Sequence, residues 1–358
     1  MIKVLFLLIG IGILAVIASY ISYQLALRWS VVDDPKSDLS RKKHKNPIPL
    51  MGATGSVILA LSASSLVLFI AKYDIGNLQS FLYQGLFQPV RFGWVVIAVL
   101  LLMFAGYLDD SKKIGIKGRF AITGLALVIT VFFGNLRIEA LSFPFDQILP
   151  DIPLLPEFLA FFWIGFCLFT TKVLDGHDGL VTSVGAVGFL TIASVATFDN
   201  VNQPLLIILA LIWTFSLLGF LPFNFPNAKA YLGDGGSMII GYMIGVLSIM
   251  SGAKIATAGS VIGWFVIDLL FVWFRRILDG RNPLTSSDRF HWHQRLVESG
   301  LNKLQVLSIS ILVVLSTSRI GLMIETQNKL YVLIAQAFVL IVVFALTYSL
   351  THQKNKPE

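Results

Sequence analysis

Eleven apolar runs, most of them close to bilayer-spanning length, leave this chain little choice of fold. They fall at about residues 2–27, 50–71, 93–108, 119–134, 157–172, 180–198, 204–223, 237–252, 255–274, 303–322 and 330–350. A spanning helix needs roughly 20 mostly apolar residues. Charged residues are 13% of the chain, against about 25% in an ordinary soluble domain. These features predict an all-α polytopic membrane protein with about 11 (10–11) transmembrane helices. No polar stretch is long enough to fold alone, so residues 1–358 read as one integral-membrane domain. The first run is longer than a signal-peptide core and lacks a clear cleavage site, which predicts a retained first helix. The single Cys167 lies inside an apolar run and reads as packing.

Charge asymmetry sets the expected sidedness. Numbering the loops alternately, with residues 28–49 inside, puts 20 of the 27 Lys and Arg on one face. By the positive-inside rule that face is cytoplasmic, the amino terminus is outside and the carboxyl terminus inside. A net charge of +7 therefore reads as orientation and attraction to anionic membrane lipid, not as a nucleic-acid surface.

The polar segments that interrupt the apolar runs carry the chemistry, and they share that face. Asp109 and Asp110 follow the third run and lead into Ser111-Lys112-Lys113. Paired carboxylates beside cations suit a divalent metal and the phosphates it bridges, or else a solvated, helix-capping turn. Asp175-Gly176-His177-Asp178-Gly179 places two carboxylates at i and i+3, on one face if the segment is helical. The stretch Asn224 to Ser237, with Gly233-Asp234-Gly235-Gly236, closes one run and opens the next. Backbone N–H groups at a helix start favour anionic oxygens, and Asp234 beside them would repel phosphate unless a cation intervened. The last polar loop carries His291, His293 and Arg295, able to contact a diphosphate or lie against anionic lipid. The basic run ending at Lys45 could attract an anionic head group. Residues 135–156 read as a small outer hairpin with no evident chemistry.

Together these segments resemble the polyprenyl-phosphate N-acetylhexosamine-1-phosphate transferase family, over about Asp34 to Gly300 and in the family's motif order. The paired aspartates resemble Asp109 and Asp110, the Asp-Gly-x-Asp-Gly motif resembles Asp175 to Gly179, and Asn224 through Ser237 resembles a third motif. The last loop is similar to the branch that uses UDP-N-acetylglucosamine-type donors. Three positions depart from the family pattern: Lys172 stands where Asn is usual, Ala53 replaces a Gly, and Pro226-Asn227-Ala228 replaces a Pro-Ala pair.

The resemblance implies a reaction at the cell (inner) membrane in which a UDP-HexNAc and polyprenyl phosphate give polyprenyl-diphospho-HexNAc and UMP. It implies Mg²⁺, or Mn²⁺ in its place, and a homodimer. Asp234, with Asp109 and Asp178, is the implied metal-ligand set. Asp109 is expected to deprotonate or position the lipid phosphate, with Asp110 in support. Lys45, Lys112, Lys172, Asp175, Asp178, Asn224, Gly233, His291, His293 and Arg295 are the expected substrate contacts. Whether a carboxylate attacks first is left open. Two rival classes fit less well. An intramembrane aspartyl protease would show Gly-x-Gly-Asp, but Tyr231 occupies the first position. A secondary transporter would place charges near the midplane and show internal repeats. A catalytically inactive family member is the third alternative, raised by Lys172.

Overall fold

The computed structural model describes residues 2–35, 46–76, 79–82, 91–111, 114–138, 152–199, 201–251, 255–282, 290–324, 331, 334–339 and 341–343. The helices are α1 (Ile2–Arg28), α2 (Thr54–Lys72), α3 (Gln79–Leu82), α4 (Phe92–Asp110), α5 (Ile116–Val128), α6 (Leu155–Leu174), α7 (Leu180–Ala196), α8 (Pro204–Asn224), α9 (Gly233–Met250), α10 (Ile255–Leu278), α11 (Trp292–Glu298) and α12 (Lys303–Met323). α5 runs on into one π-helical turn, Ile129–Phe133. Two short strands, β1 (Val32–Asp33) and β2 (Ile48–Pro49), pair antiparallel.

The protein is an all-α polytopic membrane protein. Among the described residues, eight helices are long and apolar enough to cross a bilayer: α1, α2, α4, α5 with its π turn, α6, α8, α9 and α12. α7 is apolar but only 17 residues long. α10 has 24 residues and carries Asp268 in its interior.

α9 is the hub. Apart from Asp234, every one of its residues is buried, as expected of a helix apolar on all sides. It packs against α4, α6, α7 and α10. Lipid is as apolar as leucine, so such packing depends on close backbone approach through small residues. A Cβ on Gly106 of α4 would lie 2.2 Å from the Gly235 Cα, and one on Gly241 would lie 2.1 Å from Thr171 Oγ1 of α6. The outer helices instead turn Phe6, Phe104, Phe162, Phe274 and Leu312 outward, as a lipid-facing surface requires.

Helix ends depart from the expected boundaries. α4 includes Asp109 and Asp110 in its last turn, α6 continues past Lys172 to Leu174, and α9 begins at Gly233 rather than Ser237. The expected runs stopped where apolar character stopped. The helices continue because each of these polar side chains finds its partner on another helix. The segment Asp175 to Gly179 is a turn, not a helix, so its carboxylates do not share a helical face. The outer segment 135–156 is described only at 135–138 and 152–156, and the last run only at 331, 334–339 and 341–343, so the proposed hairpin and most of that run lie outside the described residues.

The loops at the motif-bearing end are laced together. Tyr231 N–H donates to the Pro49 carbonyl (2.8 Å), and Gly52 N–H donates to the Tyr231 carbonyl (2.9 Å). β2 and the residues just after it are thereby fixed to the stretch that precedes Asp234.

Candidate active site

Asp109 and Asp110 end α4, and Asp234 opens α9. Because the two helices touch at Gly106, one turn before Asp109, and at Gly235, next to Asp234, these carboxylates are set side by side. Asp110 Oδ1 accepts the Asp234 backbone N–H at 3.2 Å, which satisfies one of the donors left free at a helix start. Gly233 is in the left-handed region (φ +76°), and a Cβ there would meet Asp110 Oδ2 at 2.7 Å.

Two cations lie in the gap between Asp109 and Asp234. Lys172 Nζ donates to Asp234 Oδ2 at 2.5 Å and to Asp109 Oδ2 at 3.3 Å. Arg119, in the first turn of α5, pairs closely with Asp109 Oδ2 and lies 3.6 Å from Asp234 Oδ2. One oxygen from each carboxylate thus faces a common point. The four side chains are partly covered, with Asp234 the most open at 34%. Arg119 was legible in the sequence only as part of a basic run, and its role as a partner of both aspartates was missed.

Asp175 follows α6 directly and joins this neighbourhood. Burial, and then the Asp234 carboxylate, push its carboxyl up to about 8. Asp178, three residues on, does something else. Its Oδ2 accepts the backbone N–H groups of Asn227 (3.1 Å) and Ala228 (3.4 Å) and the Lys303 ammonium (2.7 Å). Asn224 is engaged in the same region: its Oδ1 accepts from Gly179 N–H and Thr182 Oγ1, and its Nδ2 donates to the Ala230 carbonyl. His177 Nε2 donates to the Lys303 carbonyl at 2.9 Å, and burial holds its imidazole below the usual range. The structure therefore places Asp178 and Asn224 in a brace that ties the 175–179 turn to the 224–230 loop and to α12. Lys303 gave no signal in the sequence.

The last loop is anchored by a carboxylate that the sequence reading passed over. Asp268 of α10, 1% exposed, receives His291 Nδ1 (2.9 Å) on one oxygen and the Trp292 N–H (2.9 Å) on the other. A carboxylate inside an apolar run is costly, and that alone could have marked it. The His291 and His293 rings stack with centroids 6.1 Å apart. His293 is 1% exposed, and among the described residues neither of its ring nitrogens has a hydrogen-bond partner. Burial, followed by the neighbouring His291 and His177, pushes its imidazole down to about 3, so the ring is neutral at ordinary pH. Gly176 lets it approach: a Cβ there would lie 3.2 Å from His293 Nε2. Arg295 is buried, its guanidinium 5.6 Å from the Phe290 ring, which Arg275 also covers.

Lys45 and Lys112 lie outside the described residues, as do Pro283 and Asp288. The remaining sequence-predicted residues divide into three groups. Asp109, Asp110, Lys172, Asp234 and Gly233 form one cluster with Asp175 beside it. Asp178 and Asn224 form the brace. His291, His293 and Arg295 form the anchored loop, which meets the turn at Gly176.

Among the described residues, no set of three His, Cys, Asp or Glu side chains is arranged to hold a metal ion. Two carboxylate oxygens converging on cations nevertheless give the hard donor set that Mg²⁺ takes when waters and substrate phosphates complete its shell. The residues fit such a metal, with the Lys172 ammonium now bridging the two oxygens.

An apolar groove of about 370 Å³ runs between α5, α6 and α10, lined by Phe120, Gly124, Phe162, Phe166, Phe169 and Leu269. Phe120 stacks on Phe169 at 5.2 Å. Phe120 follows Arg119 in sequence, and Phe169 precedes Lys172 by one helical turn, so the groove begins beside the cluster.

Residues 92–252 match the family model described as glycosyl transferase family 4. The matched segment begins with α4 and ends just beyond α9, and so contains both carboxylates of the gap and both cations. Over this segment the chain is similar to glycosyl transferase family 4. It is 28% identical, over 93% of its length and 89% of the relative's, to a protein of Bacillus subtilis (strain 168) named as a probable undecaprenyl-phosphate N-acetylglucosaminyl 1-phosphate transferase. It is 24% identical, over 96% of its length and 88% of the relative's, to the undecaprenyl-phosphate alpha-N-acetylglucosaminyl 1-phosphate transferase of Escherichia coli (strain K12). It is 26% identical, over 81% of its length and 75% of the relative's, to the decaprenyl-phosphate N-acetylglucosaminephosphotransferase of Mycolicibacterium smegmatis.

Proposed function

We propose that this chain is a family 4 member that transfers HexNAc-1-phosphate, with GlcNAc-1-phosphate the first candidate, from a UDP-sugar to undecaprenyl phosphate. The product is a lipid-linked diphospho-sugar that starts a cell-envelope glycan, with release of UMP. The observation that carries this reading is the convergence of Asp109 and Asp234 with Lys172 and Arg119 beside an apolar groove. Paired carboxylates, two cations and a lipid-sized furrow suit the joining of two phosphates, one of them on a long apolar chain. The names of the relatives point the same way.

In this reading the prenyl chain lies in the groove, and its phosphate reaches Arg119. A lipid-phosphate oxygen attacks the phosphorus that bears the sugar; the bond to the other phosphate breaks, and UMP leaves. Asp109 takes or steers the lipid-phosphate proton. Asp110 holds the start of α9, and with it Asp234, in register. A Mg²⁺ held by Asp109 and Asp234 would supply charge neutralisation at the diphosphate. Neutral His293, with two unpartnered ring nitrogens, is placed to hydrogen-bond the donor, and Asp175 borders the same space. Asp178 acts through the brace. The chain crosses the inner membrane ten or eleven times, with the amino terminus outside and the site on the cytoplasmic face; labelling of single introduced cysteines in intact cells reads that orientation directly.

The test is transfer itself. Purified protein in detergent, given radiolabelled UDP-GlcNAc, undecaprenyl phosphate and Mg²⁺, should yield butanol-extractable label and UMP, both abolished by EDTA. If folded protein gives no lipid product with UDP-GlcNAc, UDP-GalNAc or UDP-MurNAc-pentapeptide, the reading fails.

A further inference from the structure

We propose that the Lys172 ammonium is a tethered cation that competes with the divalent metal for the gap between Asp109 and Asp234. The inference rests on the reading above and concerns one residue of its site. It starts from position. Among the described residues, Lys172 Nζ is the cationic group within 3.3 Å of both Oδ2 atoms, at 2.5 and 3.3 Å. The Arg119 guanidinium holds Asp109 but lies 3.6 Å from Asp234. A metal held by Asp109 and Asp234 would draw on the carboxylate charge that the ammonium now neutralises at these distances.

The root of Lys172 is fixed. Its neighbour Thr171 stands against Gly241, and the Thr171 hydroxyl is 2.1 Å from the place a Gly241 Cβ would take. α6 therefore cannot slide along α9 to carry the lysine away. Its head is free to move, because an ammonium on a four-carbon stem can swing where a planar guanidinium in a fork could not. With Arg119 kept on Asp109, the rest of the gap thus has two alternative occupants: the Lys172 ammonium at rest, and the metal when it displaces that ammonium. On displacement the ammonium stays within reach of the anionic oxygens that arrive with the donor. The usual Asn at this position could not act this way, having no charge.

A merely structural ion pair predicts something different. Its removal would weaken the protein whatever the metal concentration, and would leave metal affinity unchanged or lower. Competition predicts that removing the charge tightens metal binding, because the carboxylates no longer have to release a cation.

The experiment measures Mn²⁺ and Mg²⁺ binding to detergent-purified protein by titration calorimetry and Mn²⁺ electron paramagnetic resonance, with no UDP-sugar or lipid present. Lys172→Asn and Lys172→Gln should bind the metal about tenfold or more tightly than the parent, and Lys172→Arg, whose cation is less able to swing aside, should bind it no more tightly than the parent. The thermal midpoint of Lys172→Asn should fall in EDTA, where two carboxylates face each other with one cation fewer, and recover with Mg²⁺. Equal or weaker metal binding in both neutral variants overturns the proposal. Should the neutral variants not fold, the parent protein decides. With its lysines ¹³C-methylated and the Lys172 resonance assigned from Lys172→Arg, that resonance should move on Mg²⁺ addition, and a resonance that stays fixed overturns the proposal. Since no transfer is measured, loss of the proposed activity and loss of this competition are separate results.

Discussion

The α4–α6–α9 cluster and the brace around Asp178 use the same residue types and make opposite use of them. Asp109 and Asp234 are partnered through the gap by side-chain cations, Lys172 and Arg119. Such partners can be exchanged for another cation or drawn off by phosphate. Asp178 is held mainly by backbone N–H groups of residues 227 and 228, which cannot leave, with Lys303 closing the set. Asp268 follows the second pattern, binding His291 and the Trp292 N–H. What a carboxylate does here is decided by whether its partners can move, not by its place in a motif.

The contrast is broken or sharpened most severely at the carboxylates themselves. Asp109→Asn and Asp234→Asn should each lower transfer on the order of 100- to 1,000-fold with the thermal midpoint held. Asp178→Asn should lower the thermal midpoint, with activity falling only as folded protein is lost. Equal activity losses at unchanged midpoints would erase the distinction between cluster and brace.

A smaller effect is expected at Asp268. Asp268→Asn keeps an acceptor for the Trp292 N–H but turns an amide toward His291, disturbing its tautomer and orientation. A roughly 10- to 100-fold loss is expected, the scale seen when an orienting partner is removed from a functional histidine. It should appear chiefly in KM for the UDP-sugar, with changed ¹⁵N signals for the His291 ring. An equal fall in kcat for all substrates, with the ring signals unmoved, would make Asp268 part of the brace class without a functional histidine behind it.

The smallest effect concerns pH. The Asp175 carboxyl holds its proton to about pH 8 in the folded, metal-free protein, whereas an unfolded chain releases it near pH ~4. Between those values the folded state binds more protons, so stability falls as pH rises through the window. The thermal midpoint of the EDTA-treated protein should decline from pH 5 to pH 8, and Asp175→Asn should flatten that decline. A decline of unchanged steepness in the variant would assign it to other groups.

The apolar runs foretold the bundle because lipid penalises everything else, and the polar segments foretold the site because charge beside lipid is costly. What escaped the sequence was what each polar group touches. Asp175 and Asp178 look equivalent at i and i+3, yet the turn that holds them sends one toward Asp234 and the other onto the backbone of residues 227 and 228. Asp268 lies in an apolar stretch with no motif around it, and Lys303 opens a helix far along the chain. Their importance depends on contacts 23 and 125 residues away, which local patterning does not encode. Arg119 was visible as charge and missed as a partner for the same reason.

The meeting of Gly106 and Gly235 has a consequence beyond packing. The two carboxylates of the gap terminate helices that touch one turn below Asp109 and directly beside Asp234, so the width of the gap is set at this helix contact by the lack of two methyl groups. The reaction centre has no frame of its own. Whatever changes the tilt of α4 against α9 changes the span between Asp109 and Asp234, and helix tilt follows the thickness of the surrounding hydrocarbon. The bilayer is therefore both the solvent of this protein and, through two glycines, part of the ruler for its chemistry.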